Sequence, residues 1–431
     1  MDDRRNFLKK AGLLAAGLQL QACASPGSAP AALASPSRDA GPERWRQVRE
    51  QFDVDPRYTH LAGFLITSHP RVVREEIERH RRRIDFNPAE EMDYRNIWRH
   101  EDASRAWAAR YLGVELPQIA LTGSTTEGIG LVYNGIAIRP GQEVLTTEHE
   151  HYATKGALQF RAEKDGTPIR TIRLFRDPHT VSVDEVLGTL KANLRPSTRV
   201  LALTWVHSGS GVKLPIGQIG ALVAEHNRDR APAERILFCV DGVHGFGVEN
   251  ASFAELNCDF FMAGTHKWMF GPRGTGIICS RTPQLENLSP TIESFSASED
   301  FGTSMTPGGY HTFEHQWALG KAFEFHLGLG KADVQARIHQ LNGELKAHLR
   351  GVPGLRLVTP DSPELSAGFT FFRIDGADPE RIAAYLKANR VIADATDRDV
   401  GPLVRTAPGL LNDSDQLQRV ADLLRQGGFH A

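Results

Sequence analysis

The sequence predicts an α/β fold, a mostly parallel sheet with helices on both faces, followed by a smaller α+β unit. Three observations carry this. Short apolar runs rich in Val, Ile, Leu and Phe alternate with amphipathic helical patterns, the order that parallel βαβ units require. The chain has 431 residues, more than one small domain of about 150 residues needs. Its 41 % apolar and 24 % charged residues are ordinary globular usage, which excludes disordered, collagenous and coiled-coil chains.

The N-terminus reads as an address. Arg4-Arg5-Asn6-Phe7-Leu8-Lys9 precedes an uncharged stretch over residues 11–24, too short and too rich in Gly and Gln to span a bilayer. A basic head, a mild apolar core and a small-residue exit are the layout of a signal peptide, and the paired arginines point to the twin-arginine route. Ala22-Cys23-Ala24 reads as a cleavage site, whereas Leu20-Gln21-Ala22-Cys23 resembles a lipoprotein box with an unusual Gln. Cleavage to a soluble periplasmic protein is the preferred reading, with a lipid anchor at Cys23 as the alternative. A Pro/Ala/Ser linker fills residues 25–39. The twin-arginine export machinery is then a partner. That route resembles one used for proteins exported already folded, often with a cofactor loaded. Residues 1–24 contribute +2 to the net charge of −2, leaving about −4 for the rest, with no electrostatic footprint for nucleic acid. Four cysteines exclude a disulfide scaffold.

Beyond the linker, strands are expected at 143–147, 198–206, 235–240, 259–263 and 275–279. Helices are expected at 72–83, 104–112, 127–136 and 183–193. Residues 40–314 form the large domain with its N-terminal segment. A helical stretch from 315 to about 349, interrupted by glycines, leads into a small domain ending at 431. That domain has strands at 367–374 and 403–406 and a helix at 413–425. In open α/β sheets, ligands bind beyond the carboxyl ends of the strands. Polar clusters follow four of the strands: Glu148-His149-Glu150-His151, His207-Ser208-Gly209-Ser210, Asp241-Gly242-Val243-His244 and Gly264-Thr265-His266-Lys267. They converge on one edge and describe a site.

Three features suggest its chemistry. Lys267, flanked by Thr265-His266 and by Trp268-Met269-Phe270, is placed to be partly desolvated, which turns an amine into a nucleophile. Asp241 ends an apolar strand, where a carboxylate needs a partner such as a protonated pyridine nitrogen. Gly123-Ser124-Thr125-Thr126-Glu127-Gly128 opens a helix whose N–H groups and hydroxyls suit a phosphate. Taken singly, these also read as a solvated lysine, a capping aspartate and a plain capping box.

As an ordered set they resemble the fold-type I, class V aminotransferase family, which uses pyridoxal 5′-phosphate (PLP) and includes cysteine desulfurases and isopenicillin-N-epimerase-like enzymes. The resemblance runs from about Tyr58 to Asn412. It implies a seven-stranded sheet, PLP as cofactor and a homodimer. Thr125-Thr126-Glu127-Gly128-Ile129 matches the family's phosphate-binding run. Thr147-Glu148-His149 matches its Thr-Glu-His, which implies that His149 stacks on the pyridine face. Thr204 to Ser208 and Val240-Asp241-Gly242-Val243-His244 match the segments that approach the ring oxygen and the pyridine nitrogen. Gly264-Thr265-His266-Lys267 matches the lysine motif, implying that Lys267 carries the cofactor and that Thr265 and His266 meet its phosphate. Arg405 stands where the family grips a substrate carboxylate.

Departures are informative. His244 replaces the usual Gln and Ser208 the usual Asn. The segment Ala393 to Asp399 has no thiol, which argues against a cysteine desulfurase. Phe313-Glu314-His315-Gln316-Trp317 replaces Phe-Glu-x-Gly-Thr, which puts a cross-subunit phosphate contact in doubt. Cys239, Cys258 and Cys279 read as buried thiols. A twin-arginine-exported member resembles the periplasmic enzymes of pyoverdine maturation, so a siderophore peptide, through its glutamate side chain, is the expected substrate. The reaction stays open among transamination, decarboxylation and racemisation. An epimerase or lyase on a free amino acid is the alternative within the family. A metallohydrolase using His149 and His151, placed two apart on a strand end, is the alternative from another class. An exported binding protein without chemistry is a third.

Overall fold

A computed structural model of the protein describes residues 41–296 and 299–429. The signal, Cys23 and linker readings lie outside these residues. The strands are β1 (Thr59–His60), β2 (Ile119–Thr122), β3 (Glu143–Thr147), β4 (Ile169–Ile172), β5 (Thr198–Thr204), β6 (Leu237–Asp241), β7 (Phe260–Gly264), β8 (Gly276–Ser280), β9 (Leu355–Leu357), β10 (Thr370–Ile374), β11 (Val391–Ile392), β12 (Asp394–Arg398) and β13 (Gly401–Thr406). A seven-stranded sheet has the order β2-β8-β7-β6-β5-β3-β4. The β3, β4, β5, β6 and β7 pairings are parallel, and β8 runs antiparallel to both of its neighbours.

The apolar runs produce this sheet because both of its faces are covered. Along β5, Leu201 and Leu203 join one core and Val200 and Ala202 the other. In β6, Phe238 and Val240 alternate with Leu237 and Cys239 in the same way. A strand buried on both sides reads as a continuous apolar run. β2 and β4 are absent from the strands expected above: β4 carries Arg170 and Thr171, and the apolar run of β2 is only Ile119-Ala120-Leu121. Helix Tyr94–Leu112 starts ten residues earlier than expected, because Asp93 caps it by accepting the Arg95 N–H. Helix Val183–Asn193 keeps its expected bounds.

The long helical stretch is two helices, Phe313–Leu329 and Lys331–Leu349. They break at Gly330, whose φ of +84° lies in the left-handed region that favours glycine. A second, four-stranded sheet has the order β12-β13-β10-β9 and covers its own apolar core with helices Pro379–Ala388 and Ser414–Gln426. The N-terminal segment reaches this part of the chain. Strand β1 pairs in parallel with β11, and Leu61 lies in the same core as Phe372 and Leu417. Among the described residues, no helix is long and apolar enough to cross a membrane.

Candidate active site

The carboxyl ends of β3, β5, β6 and β7 lead into one cleft of about 280 Å³. The hairpin β12–β13 closes it from the smaller sheet with Arg398 and Arg405, and Phe64 and Leu65 border it from the N-terminal segment.

Asp241 is the last residue of β6 and is buried. Its Oδ1 accepts the Val243 N–H at 3.2 Å, and Oδ2 has no hydrogen-bond partner among the described residues. Burial pushes its pKa up to about 6, against the lowering effects of that N–H and of the Lys267 charge. The following turn lies flat on the sheet because position 242 is glycine. A Cβ there would come within 1.9 Å of the Phe261 ring.

Lys267 sits in the loop between β7 and the antiparallel β8. Thr265 ties the loop together: its hydroxyl lies 2.5 Å from Thr275 Oγ1, and its carbonyl accepts the Gly271 N–H at 2.8 Å. Phe270 adopts a φ of +54°, unusual for a bulky residue. Its ring is held between Phe52 and His326. Burial draws the Lys267 amine down to about 8; Asp241 raises it, and Arg405 and Arg398 lower it further.

His244 Nε2 lies 3.4 Å from Lys267 Nζ, while its Nδ1 faces Trp268 Nε1 at 3.4 Å. An indole nitrogen only donates, so Nδ1 is the acceptor and a neutral His244 carries its proton on Nε2. Burial holds His244 well below the usual imidazole range, which keeps it neutral. An Nε2–H aimed at Nζ favours the uncharged amine over the ammonium.

At the opposite end of the cleft, helix Thr125–Gly135 begins with a reciprocal cap. Ser124 Oγ accepts the Glu127 N–H at 3.1 Å and the Glu127 carboxylate accepts the Gly123 N–H. Thr125 Oγ1 accepts the Gly264 N–H at 2.7 Å, fixing this helix start to the end of β7. Ser124, Thr125 and Thr126 line the cleft beside His266, whose pKa is lowered to about 4 by burial and the Lys267 charge. Helix N–H groups, hydroxyls and a neutral imidazole form an anion-binding corner.

Thr125, Thr126, Ser208, Asp241, His244, His266, Lys267 and Arg405 are therefore brought together. Two residues named from the sequence are not. Thr265 is fully buried and spends its hydroxyl on the loop. His149 points away from the cleft: its ring stacks on Phe175 at 4.0 Å, and its Nδ1 lies 2.6 Å from Asp399 Oδ2. Of the two histidines that follow β3, the one at the cleft is His151, which caps helix Tyr152–Asp165 by accepting the Ala153 N–H. The metal alternative fails for the same reason. β3 ends at Thr147, so a two-residue period no longer applies at 149 and 151, and the two rings diverge. Among the described residues, no three His, Cys, Asp or Glu side chains are grouped as a metal site.

The sequence reading also missed Arg398 and Asp394. The alternation Asp394, Thr396, Arg398 on one strand face was the signal available for them. Arg405 has a carboxylate partner already, with Nε 2.7 Å from Asp394 Oδ2. Cys239, Cys258 and Cys279 are free, buried thiols with pKa values raised by burial.

This lysine-and-aspartate site on a mostly parallel α/β sheet defines a class, and comparison with known proteins gives the family. The aminotransferase class-V model matches residues 70–406, and the chain belongs to that PLP-dependent family. It is similar to isopenicillin N epimerase of Amycolatopsis lactamdurans, 28 % identical over 89 % of this chain and 98 % of the relative. The Streptomyces clavuligerus epimerase is 26 % identical over 88 % and 97 %. A probable cysteine desulfurase of Vibrio cholerae is 24 % identical over 74 % of this chain and 80 % of the relative. Among solved structures, a C-DES mutant with glycine covalently linked to its PLP cofactor superposes with a TM-score of 0.79 at 21 % identity, covering 88 % of this chain and 98 % of that one. That likeness establishes the fold.

Proposed function

We propose that the protein is an exported PLP-dependent enzyme that acts on a carboxylate-bearing, amino-acid-type amine. We further propose that its substrate is the glutamate side chain of a pyoverdine siderophore. The observation that carries the first part is the pairing of Lys267 and Asp241 at the ends of adjacent strands, over one cleft with a helix N-terminus at its far end. These residues fit PLP. Among the described residues the buried Asp241 carboxylate has no hydrogen-bond partner on Oδ2, as expected of one that meets a protonated ring nitrogen. The anion corner at Ser124, Thr125, Thr126 and His266 suits a phosphate. His151, Ser208 and His244 line the same cleft and would border the bound ring.

When bound, the cofactor supplies an electron sink for charge developing at the substrate carbon. The chain supplies the rest. Lys267, whose amine burial draws down to about 8, would hold the cofactor and would be the base that moves a proton at the substrate carbon. His244 keeps that amine oriented. Transamination and racemisation begin from these roles, and decarboxylation shares the electron sink and uses Lys267 only to return a proton. The isopenicillin N epimerases match nearly the whole chain, which favours an epimerase on a free amino acid as the second reading. The cleft hairpin Asp394–Thr406 has no cysteine, which counts against desulfurase chemistry.

The twin-arginine layout of residues 1–24 supports periplasmic export. Leu65, Ile66 and Tyr152, exposed large apolar residues around the cleft, support a homodimer that covers them, which sedimentation would test. Lys267→Ala should abolish the visible absorbance gained with PLP; a fully active variant would sink the role given to Lys267 and with it the PLP-enzyme proposal. Mass spectrometry of siderophore from cells with and without the gene tests the substrate. An unchanged glutamate side chain would discard that part alone.

A further inference from the structure

We propose that Glu150 is a positioning residue that acts through Asp241: a second buried carboxylate that strengthens the hold of Asp241 on a cation in the cleft. That cation is the ring nitrogen of PLP, so this step rests on the cofactor reading above.

The strand ends dictate the arrangement. β3, β5 and β6 are neighbours, and the register sets Thr204, the last residue of β5, beside Asp241, the last of β6. Both line the cleft. Glu150 follows β3 and is buried. Its Oε2 accepts the Thr204 hydroxyl at 2.5 Å and its Oε1 the Thr147 hydroxyl at 2.7 Å. Hydroxyl protons on both oxygens are the pattern of an ionised carboxylate.

A tie between β3 and β5 alone would not require a charge, because a neutral amide would make it without the cost of desolvating an ion. Compensation is also incomplete. Among the described residues, no lysine or arginine pairs with Glu150. His207 Nε2 stands 3.8 Å from Oε1, and neither ring nitrogen of His207 has a hydrogen-bond partner. What remains of the charge falls on Asp241. Of the charged groups that act on Asp241, Glu150 favours a proton there, whereas Lys267 and His207 oppose it. The buried Tyr133 hydroxyl is pushed up first by burial, then by Cys239, Glu150 and Asp241, which places both carboxylates in one neighbourhood. A cation at Asp241 Oδ2 relieves two buried negative charges rather than one.

The test is a double-mutant cycle on E150Q and D241N in the full chain, with E150D as the charge-keeping rescue and H207Q as a control of opposite sign. In cofactor-free protein, urea unfolding at pH 4, 5, 6 and 7 follows the titration of Asp241. After subtraction of the change it makes in the D241N background, E150Q should move that titration down by roughly half to one pH unit. E150D should restore it, and H207Q should move it up. Fluorescence titration should show E150Q weakening PLP binding roughly three- to tenfold, the equivalent of that shift, and leaving it unchanged in the D241N background. Equal effects of E150Q in both backgrounds, or wild-type PLP affinity in E150Q, make Glu150 a strand tie and overturn the proposal. Should E150Q not fold, H207Q decides by its sign: an Asp241 titration that stays put or moves down overturns it. If the wild type binds no PLP, the cofactor reading fails, while the cofactor-free cycle still decides whether Glu150 acts on Asp241.

Discussion

His149 Nδ1 lies 2.6 Å from Asp399 Oδ2, and this buried pair fastens the tip of the β12–β13 hairpin to the end of β3. The Leu174 N–H donates to His149 Nε2 at 3.3 Å, so Nε2 is an acceptor and Nδ1 carries the proton given to Asp399. The bond therefore sets the tautomer of a histidine that never reaches the cleft. It also holds the strand that carries Arg398.

Asp399→Ala should leave a buried N–H unmatched and cost about 1–3 kcal/mol in urea unfolding. Asp399→Asn, whose amide oxygen still accepts, should lose less. Burial pushes the Asp399 carboxyl up, but the hydrogen bond from His149 outweighs it and leaves the pKa lowered. A group depressed on folding contributes stability above its unfolded value, lost as pH falls through the folded one. Wild type should therefore lose stability below about pH 4 more steeply than Asp399→Ala. Equal acid slopes would remove the pair from this account.

Asp241 gives the opposite sign. Its folded pKa is about 6 against an ordinary 3.8, so the cofactor-free protein holds an extra proton between those values. Stability then falls as pH rises from about 4 to 6, by about 3 kcal/mol if the whole shift is expressed. Asp241→Asn should flatten that slope, and bound PLP should reduce it in the wild type. Denaturant titrations at pH 4, 5, 6 and 7 on the cofactor-free protein and the variant would measure it.

Lys267 should react with small aldehydes only in its uncharged form, so the labelling rate of cofactor-free protein should rise with pH through a midpoint near 8. His244→Gln should move that midpoint upward. A glutamine can turn its amide oxygen to an ammonium, whereas the Nε2–H of His244 faces the free amine. A midpoint that stays put would show that burial alone sets the lysine.

Much of this architecture was legible because its strands are buried on both faces and write themselves as apolar runs. β5, β6 and β7 are such strands, and Asp241 and Lys267 follow from where two of them end. The smaller strands β2, β4, β9, β11 and β12 have two to five residues, and all but β11 include a polar one, so none writes a long apolar run. The same limit hid Arg398 and Asp394, whose strand is partly exposed and polar at every position but Ala395. His149 was misassigned because motif spacing cannot locate the point where a chain leaves its strand. Two residues of turn after Thr147 decide which histidine enters the cleft. Thr265 failed for a related reason: its partner, Thr275, lies across a loop whose closure no local pattern reveals.

That choice between histidines yields the sharpest contrast available. His151 lines the cleft, and Tyr152, its neighbour in the chain, has its ring 3.8 Å away at the mouth. An imidazole laid against an aromatic cofactor contributes about 0.5–1.5 kcal/mol. His151→Ala should therefore weaken PLP binding roughly two- to tenfold and shift the visible band of the bound cofactor. His149→Ala should leave that band in place, because its ring faces Phe175 and Asp399 instead. What it should change is the hairpin, raising the KM for a carboxylate-bearing amine in step with Asp399→Ala. Fluorescence titration with PLP and steady-state kinetics on both variants separate the two roles. A PLP defect in His149→Ala matched by a normal His151→Ala would return the cofactor face to His149.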